Sequence, residues 1–210
     1  MRGVAWVRCV AMALSLAFGV AAQSPSAQPD SSVPTFGTTV VVPSGLRGEV
    51  YHIPKNSNRL PNFRKLKSRG SIYTASLNVP PHDFREGFPG VTKRFEWFAL
   101  DYTGKFWIEI PGEYRFSLLS DDGSKLYIDG AEVIDDDGVH FATERTARVR
   151  LDGGIHRIRV SYFQGPRFEV ALVLRVAPPG ERWRVFSTDE FKPPPNPENW
   201  KFGGGRGGGE

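Results

Sequence analysis

The residues with the clearest capacity for chemistry are carboxylates gathered in two short segments. One is Ser120-Asp121-Asp122-Gly123-Ser124, and the other is Val133-Ile134-Asp135-Asp136-Asp137-Gly138-Val139-His140. Adjacent carboxylates repel each other, and a divalent cation converts that repulsion into binding energy. Calcium suits such a pair because it takes about six to eight oxygens in an irregular shell, leaving places for further oxygen ligands. Asp121 and Asp122 are the first candidates for metal ligands, and Asp135, Asp136 and Asp137 are further oxygen donors for the same ion. The alternative for both segments is turn architecture, with Asp side chains accepting backbone hydrogen bonds. The alternating Asp spacing with a distant Glu that marks a helix-loop-helix calcium site is absent.

The sequence offers no positive sign of catalysis. His52, His82, His140 and His156 show no zinc spacing such as H-E-x-x-H, and no Gly-x-Ser-x-Gly elbow occurs. The only cysteine, Cys9, lies in the first apolar segment, which removes thiolate chemistry and disulfides from the rest of the chain. A non-catalytic binding module is the expectation. His140, beside the acidic segment, is a candidate sugar hydrogen-bonding group or a packing residue.

The elements that must position these residues lie between two segments of different composition. Arg2 and Arg8, the apolar run from Val10 to Ala22 and the small residues Val20-Ala21-Ala22 predict a signal peptide over residues 1–22, with Gln23 as the mature start. The run falls short of the roughly 20 apolar residues of a membrane span. The expected product is therefore secreted, periplasmic or at the cell surface, with no stable membrane insertion. Removing the segment takes two positive charges from the formal net charge, 4 − 2 = +2. So small a net charge gives no support for a nucleic-acid partner. Residues 23–44 are rich in Ser, Pro, Gln and Thr and predict a disordered linker. Residues 192–210 carry Pro193-Pro194-Pro195 and Gly triplets and predict a disordered tail.

Residues 45–191 remain as one domain, and their pattern is that of strands. Lys105 to Ile110 and Glu113 to Leu118 flank Pro111-Gly112 and predict a hairpin. Asp129-Gly130 predicts a second tight hairpin, because both residues tolerate positive φ. That makes Asp129 a turn residue before it is a ligand. Ile158, Val160 and Tyr162 alternate with polar residues, and the stretch from Phe168 to Val176, apolar on both faces, predicts a central strand. The one helix-like piece lies around Asn62 to Lys67. Trp97 and Trp107 are expected to pack rather than to stack on sugar. Arg145, Arg148, Arg150, Arg157 and Arg159 are expected to share one outer face, solvated or open to an acidic glycan.

Several blocks, in order, carry a family resemblance. They are Gly45-Leu46-Arg47-Gly48-Glu49-Val50-Tyr51, Tyr102-Thr103-Gly104-Lys105-Phe106, Pro111-Gly112-Glu113-Tyr114-Arg115-Phe116, Ser120-Asp121-Asp122-Gly123-Ser124, Tyr127-Ile128-Asp129-Gly130, and Gly154-Ile155-His156 with Val160-Ser161-Tyr162-Phe163. Together they resemble the protective-antigen (PA-fourteen) domain family. The resemblance implies an all-β fold, an antiparallel barrel or sandwich of two sheets, used as a carbohydrate-recognition or adhesive module. It also implies that Asp121 and Asp122 are joined by a cis peptide and bind calcium, which bridges protein to sugar. An amide from a later loop completes the site in lectin-like members, and Gln164 is the residue available here. The expected partner is a glycan or polysaccharide. The second reading is a structural or protein-interaction domain, in which a protein is the partner and the aspartates only shape a turn.

Overall fold

Alternating apolar and polar residues produce a chain of strands in the computed structural model, which describes residues 45–91, 94–166 and 169–196. The predicted signal peptide, the linker and most of the predicted tail lie outside the described residues. The strands are β1 (Leu46–His52), β2 (Gly70–Thr74), β3 (Asn78–Asp83), β4 (Phe98–Ile108), β5 (Gly112–Asp121), β6 (Ser124–Ile128), β7 (Ala131–Asp136), β8 (Thr143–Leu151), β9 (Gly154–Gln164), β10 (Glu169–Ala177) and β11 (Arg184–Val185). Among the described residues the only helical pieces are short 3-10 turns, Phe63–Lys65 and Phe84–Glu86. The first is capped by the Asn62 side chain, as the helix-like stretch predicted.

The strands form two antiparallel sheets, one of order β2-β1-β4-β9-β6-β7 and one of order β11-β10-β5-β8 with β3 also on β10. The sheets are not joined into a closed barrel, so the expected two-sheet fold takes its sandwich form. Between them lie Phe98, Phe106, Phe116, Leu126, Tyr162 and Leu172, all essentially buried. Each such side chain contributes roughly 1.5–3 kcal/mol by leaving water. β10 is internal to its sheet, with Ala171 and Val173 buried on the face opposite Leu172 and Leu174, as the two-sided apolar pattern predicts.

One predicted hairpin does not form. β4 pairs with β1 and β9, β5 pairs with β10 and β8, and the Pro111-Gly112 connection arches from one sheet to the other. The reason is burial. Placing the two strands in facing sheets sets Phe106 of β4 edge-on to Phe116 of β5, with ring centroids 6.5 Å apart. Hairpin pairing would instead set the two strands side by side in one sheet.

The β6–β7 hairpin forms as predicted. Asp129 (φ 51°) and Gly130 (φ 85°) both take the left-handed region that a tight two-residue turn demands. Asp129 Oδ1 accepts from the Arg157 amide at 2.8 Å, and Oδ2 lies 2.6 Å from His156 Nδ1. The arginines, by contrast, do not share a face. Arg145, Arg148 and Arg150 lie on β8 of the smaller sheet, and Arg157 and Arg159 lie on β9 of the larger one. Alternation fixes which side chains face outward but not which sheet a strand joins.

Candidate functional site

Asp121 ends β5 and Ser124 begins β6, so Asp121-Asp122-Gly123 is a crossover from the smaller sheet to the larger. The Asp121–Asp122 peptide is cis. The crossover is tight. A Cβ on Gly123 would stand 2.5 Å from Phe163 Cε1 and 2.6 Å from the Gly138 nitrogen, so only glycine fits. Ser120 and Ser124, both fully buried, join their hydroxyls at 2.7 Å across it.

Both carboxylates are only 3% exposed. Asp122 ties the crossover to two other connections, accepting from the Gly165 amide at 2.7 Å and the His140 amide at 3.2 Å. Asp121 is less well served. Its Oδ2 is buried and, among the described residues, has no hydrogen-bond donor. Burial, with the Asp122 and Glu169 charges added, pushes the Asp121 carboxyl up to about 7. Burial also raises Asp122, against the two amides that favour its charged form.

Behind the pair stands a fully buried polar layer. The Tyr162 hydroxyl reaches the Asp121 carbonyl at 2.6 Å and Gln164 Oε1 at 2.5 Å. Burial, reinforced by the two aspartates, holds its ionisation well above the usual tyrosine range. Gln164 Nε2 donates to the Glu169 carbonyl at 3.0 Å and lies 3.4 Å from Asp122 Oδ2. In this arrangement the Gln164 amide nitrogen, rather than its oxygen, faces Asp122.

The second acidic segment borders the site but is engaged elsewhere. Asp135 pairs with Lys125 at 2.7 Å, Asp137 accepts from the Leu60 amide at 2.7 Å, and Asp136 accepts from Arg145 Nε at 2.9 Å through Oδ1, while its buried Oδ2, like that of Asp121, has no hydrogen-bond donor among the described residues. Among the described residues, no group of three or more His, Cys, Asp or Glu side chains is arranged to hold a metal. A cation here would rest on two carboxylates and uncharged oxygens. His140 is locked by the protein. Its ring nitrogens lie 2.9 Å from the Phe141 and Asp136 carbonyls, which are acceptors only. Burial alone would push this imidazole down, but those carbonyls and the Asp136 and Asp122 charges raise it.

Sequence reasoning missed the wall of the site. Asp121, Asp122, Val139, His140, Phe141 and Pro166 line a concavity of about 130 Å³. Val139 and Phe141 are 47% and 75% exposed, uncommon for large apolar side chains. The available signal was an apolar pair flanking His140 in a turn otherwise built of polar residues. Trp97 and Trp107 are buried as expected, with Trp107 Nε1 donating to Glu109 at 2.9 Å.

The chain is thus a two-sheet sandwich with a buried aspartate pair at a sheet-to-sheet crossover. Residues 69–184, more than half of the chain, match the PA14 domain, and the chain belongs to that family. It is 29% identical over 125 residues to the anti-sigma-I factor RsgI3 of Acetivibrio thermocellus, a match that covers 59% of this chain and 18% of that protein. Among solved structures, it resembles an anti-sigma factor domain-containing protein with a TM-score of 0.57 at 23% identity, covering 73% of this chain and 50% of the other. It also resembles the PA14 sugar-binding domain of an RTX adhesin, with a TM-score of 0.56 at 18% identity, covering 70% of this chain and 96% of that domain. At these identities the structural likeness speaks for the fold. No helix of the described residues is long and apolar enough to cross a membrane.

Proposed function

We propose that the chain is an exported, non-catalytic carbohydrate-binding module whose glycan site is the concavity at Asp121 and Asp122, with calcium as the bridging ion. The observation that carries the reading is the buried Asp121 Oδ2, held without a hydrogen-bond donor beside a second carboxylate. A buried anion in that position is costly unless a cation completes it. The donor chemistry fits calcium: carboxylate oxygens, with hydroxyls of a bound sugar available for the remaining shell. Asp121 and Asp122 would hold the ion, and the ion when bound supplies a positive centre for vicinal hydroxyls. Tyr162 fixes the Asp121 backbone, and the Gly165 and His140 amides orient Asp122. Phe141 offers a ring at the rim for an apolar sugar face. The sugar-binding domain of the RTX adhesin, which shares the fold, supports the substrate class.

A glycan array probed in millimolar calcium and again with chelator tests the reading. Calcium-dependent retention is expected for the native chain, and none for the variant carrying Asp121→Asn and Asp122→Asn. If calcium leaves the melting curve unchanged and no glycan is retained, a protein-interaction role for the same face becomes the better account.

A further inference from the structure

The outer face of the larger sheet carries cations of two kinds. Lys125 lies between Glu132 and Asp135 at 3.1 and 2.7 Å, Arg159 bonds Asp101 at 2.7 Å, and Arg47 pairs with Glu49. Lys105 and Arg157 differ from these. They stand directly opposite each other in the β4–β9 register, and among the described residues neither has an ion pair. Like charges facing across an antiparallel pair are destabilising. Here the pair stands on the wall of a groove of about 520 Å³ also lined by Thr103, Tyr127, Asp129 and Arg159.

The remaining lining is consistent with a built anion site. Asp129, the groove's one carboxylate, is turned to the Arg157 amide and His156. Arg159 is held by Asp101 and lies over the half-buried Tyr127 ring, 5.3 Å from its centroid. That leaves Lys105 and Arg157, without an ion pair among the described residues, beside an aromatic surface and a threonine hydroxyl. An acidic sugar chain presents the complement: carboxylate or sulfate groups repeated along a polymer, with flat, partly apolar ring faces between them. The groove is separate from the aspartate pair, since Arg157 and Gln164 lie roughly 20 Å apart along β9 at about 3.3 Å per residue.

We propose that this groove is a second carbohydrate site, selective for an anionic polysaccharide, with Lys105 and Arg157 as its charge-reading residues. The inference does not depend on the calcium site. Its test is run with the full chain in chelator, by affinity electrophoresis through polygalacturonate, dextran sulfate, neutral dextran and polyglutamate. Retardation by polygalacturonate or dextran sulfate is expected, and which of the two acts more strongly tells carboxylate from sulfate. The effect should fade as salt rises. The double substitution Lys105→Gln with Arg157→Gln should weaken it by about tenfold, the size expected for losing two charged contacts. The charge-matched control Arg148→Gln with Arg150→Gln, on the other sheet, should leave it unchanged. Both groove residues are solvent-facing, and removing the like-charge pair should not lower the melting temperature; the single Lys105→Gln variant gives a second reading of the same loss. Equal weakening in the control pair, equal retardation by polyglutamate, or no retardation by either acidic polysaccharide would overturn the proposal.

Discussion

Replacing Asp121 by Asn in the metal-free protein should make it more stable at pH 8, although the substitution removes a residue of the proposed binding site. The folded chain holds the Asp121 proton up to about 7, against an ordinary value of 3.8, mainly through burial and then through the Asp122 and Glu169 charges. A carboxyl raised on folding contributes stability that is fully present below the unfolded value and is lost as pH rises through the folded one. The window therefore runs from about pH 4 to about pH 7. Each unit is worth about 1.4 kcal/mol, so the ceiling is roughly 4 kcal/mol. Water and side-chain relaxation at the concavity reduce the realised gain to about 1–2 kcal/mol. Asn fits the site: its oxygen can keep the Ala142 amide that Asp121 accepts, and its amide replaces the oxygen that has no donor. The assay is thermal unfolding in chelator from pH 5 to pH 8, where the native chain should lose stability more steeply than the variant, which keeps only the dependence from the raised Asp122 and His140 groups. At pH 8 the variant should melt higher by roughly 3–8 °C for a gain of that size. In calcium at about 100 times Kd the order should reverse, since the native chain gains roughly 2.7 kcal/mol and the variant gains little. A variant that melts at or below the native chain in chelator at pH 8 would refute the account of Asp121 as an uncompensated buried anion. One that kept the full calcium shift would refute its place among the ligands.

Three further outcomes follow from the same geometry. Gly123→Ala should destabilise the domain by about 1–3 kcal/mol, because the new methyl group meets the Phe163 ring and the Gly138 backbone, and denaturant midpoints at unchanged slope would measure it. Phe141→Ala should leave the melting temperature within about 2 °C of the native value, since an exposed side chain adds little to stability, while lowering glycan retention on an array. The His140 ring, bonded through both nitrogens to carbonyl oxygens, should titrate above the ordinary histidine value of 6.5 in an NMR pH series, with its stabilising contribution present at low pH and lost as pH rises through that raised value.

What the sequence made legible was local. The Asp129-Gly130 turn follows from the φ values those residues tolerate, and the inward set Ile158, Val160 and Tyr162 follows from the period of a strand. Strand partnership was not legible in the same way. Pro111-Gly112 reads equally well as a hairpin turn or as an arch between sheets, and the choice rests on β9, which arrives much later in the chain to take the edge of β4. The same ignorance of partnership merged the arginines of β8 and β9 into one face. At the site, Asp121, Asp122 and Gln164 were visible through motif and resemblance, and the structure brings all three within one hydrogen-bonded cluster. Tyr162 read only as a core residue, because its hydroxyl finds Asp121 through a contact far apart in sequence. Phe141 was missed because exposure of an apolar side chain is a property of the folded surface.

The crossover and the rim of the concavity are built under opposite constraints. Asp121, Asp122 and Gly123 are clamped by Phe163, Gly138 and the buried serine pair, so change there is felt throughout the sandwich. Val139 and Phe141 project from the neighbouring connection into solvent. An engineer could therefore randomise those two rim positions to seek binding preferences while leaving the chassis and its buried aspartate pair alone, dividing the proposed site into a fixed anchor and an interchangeable face.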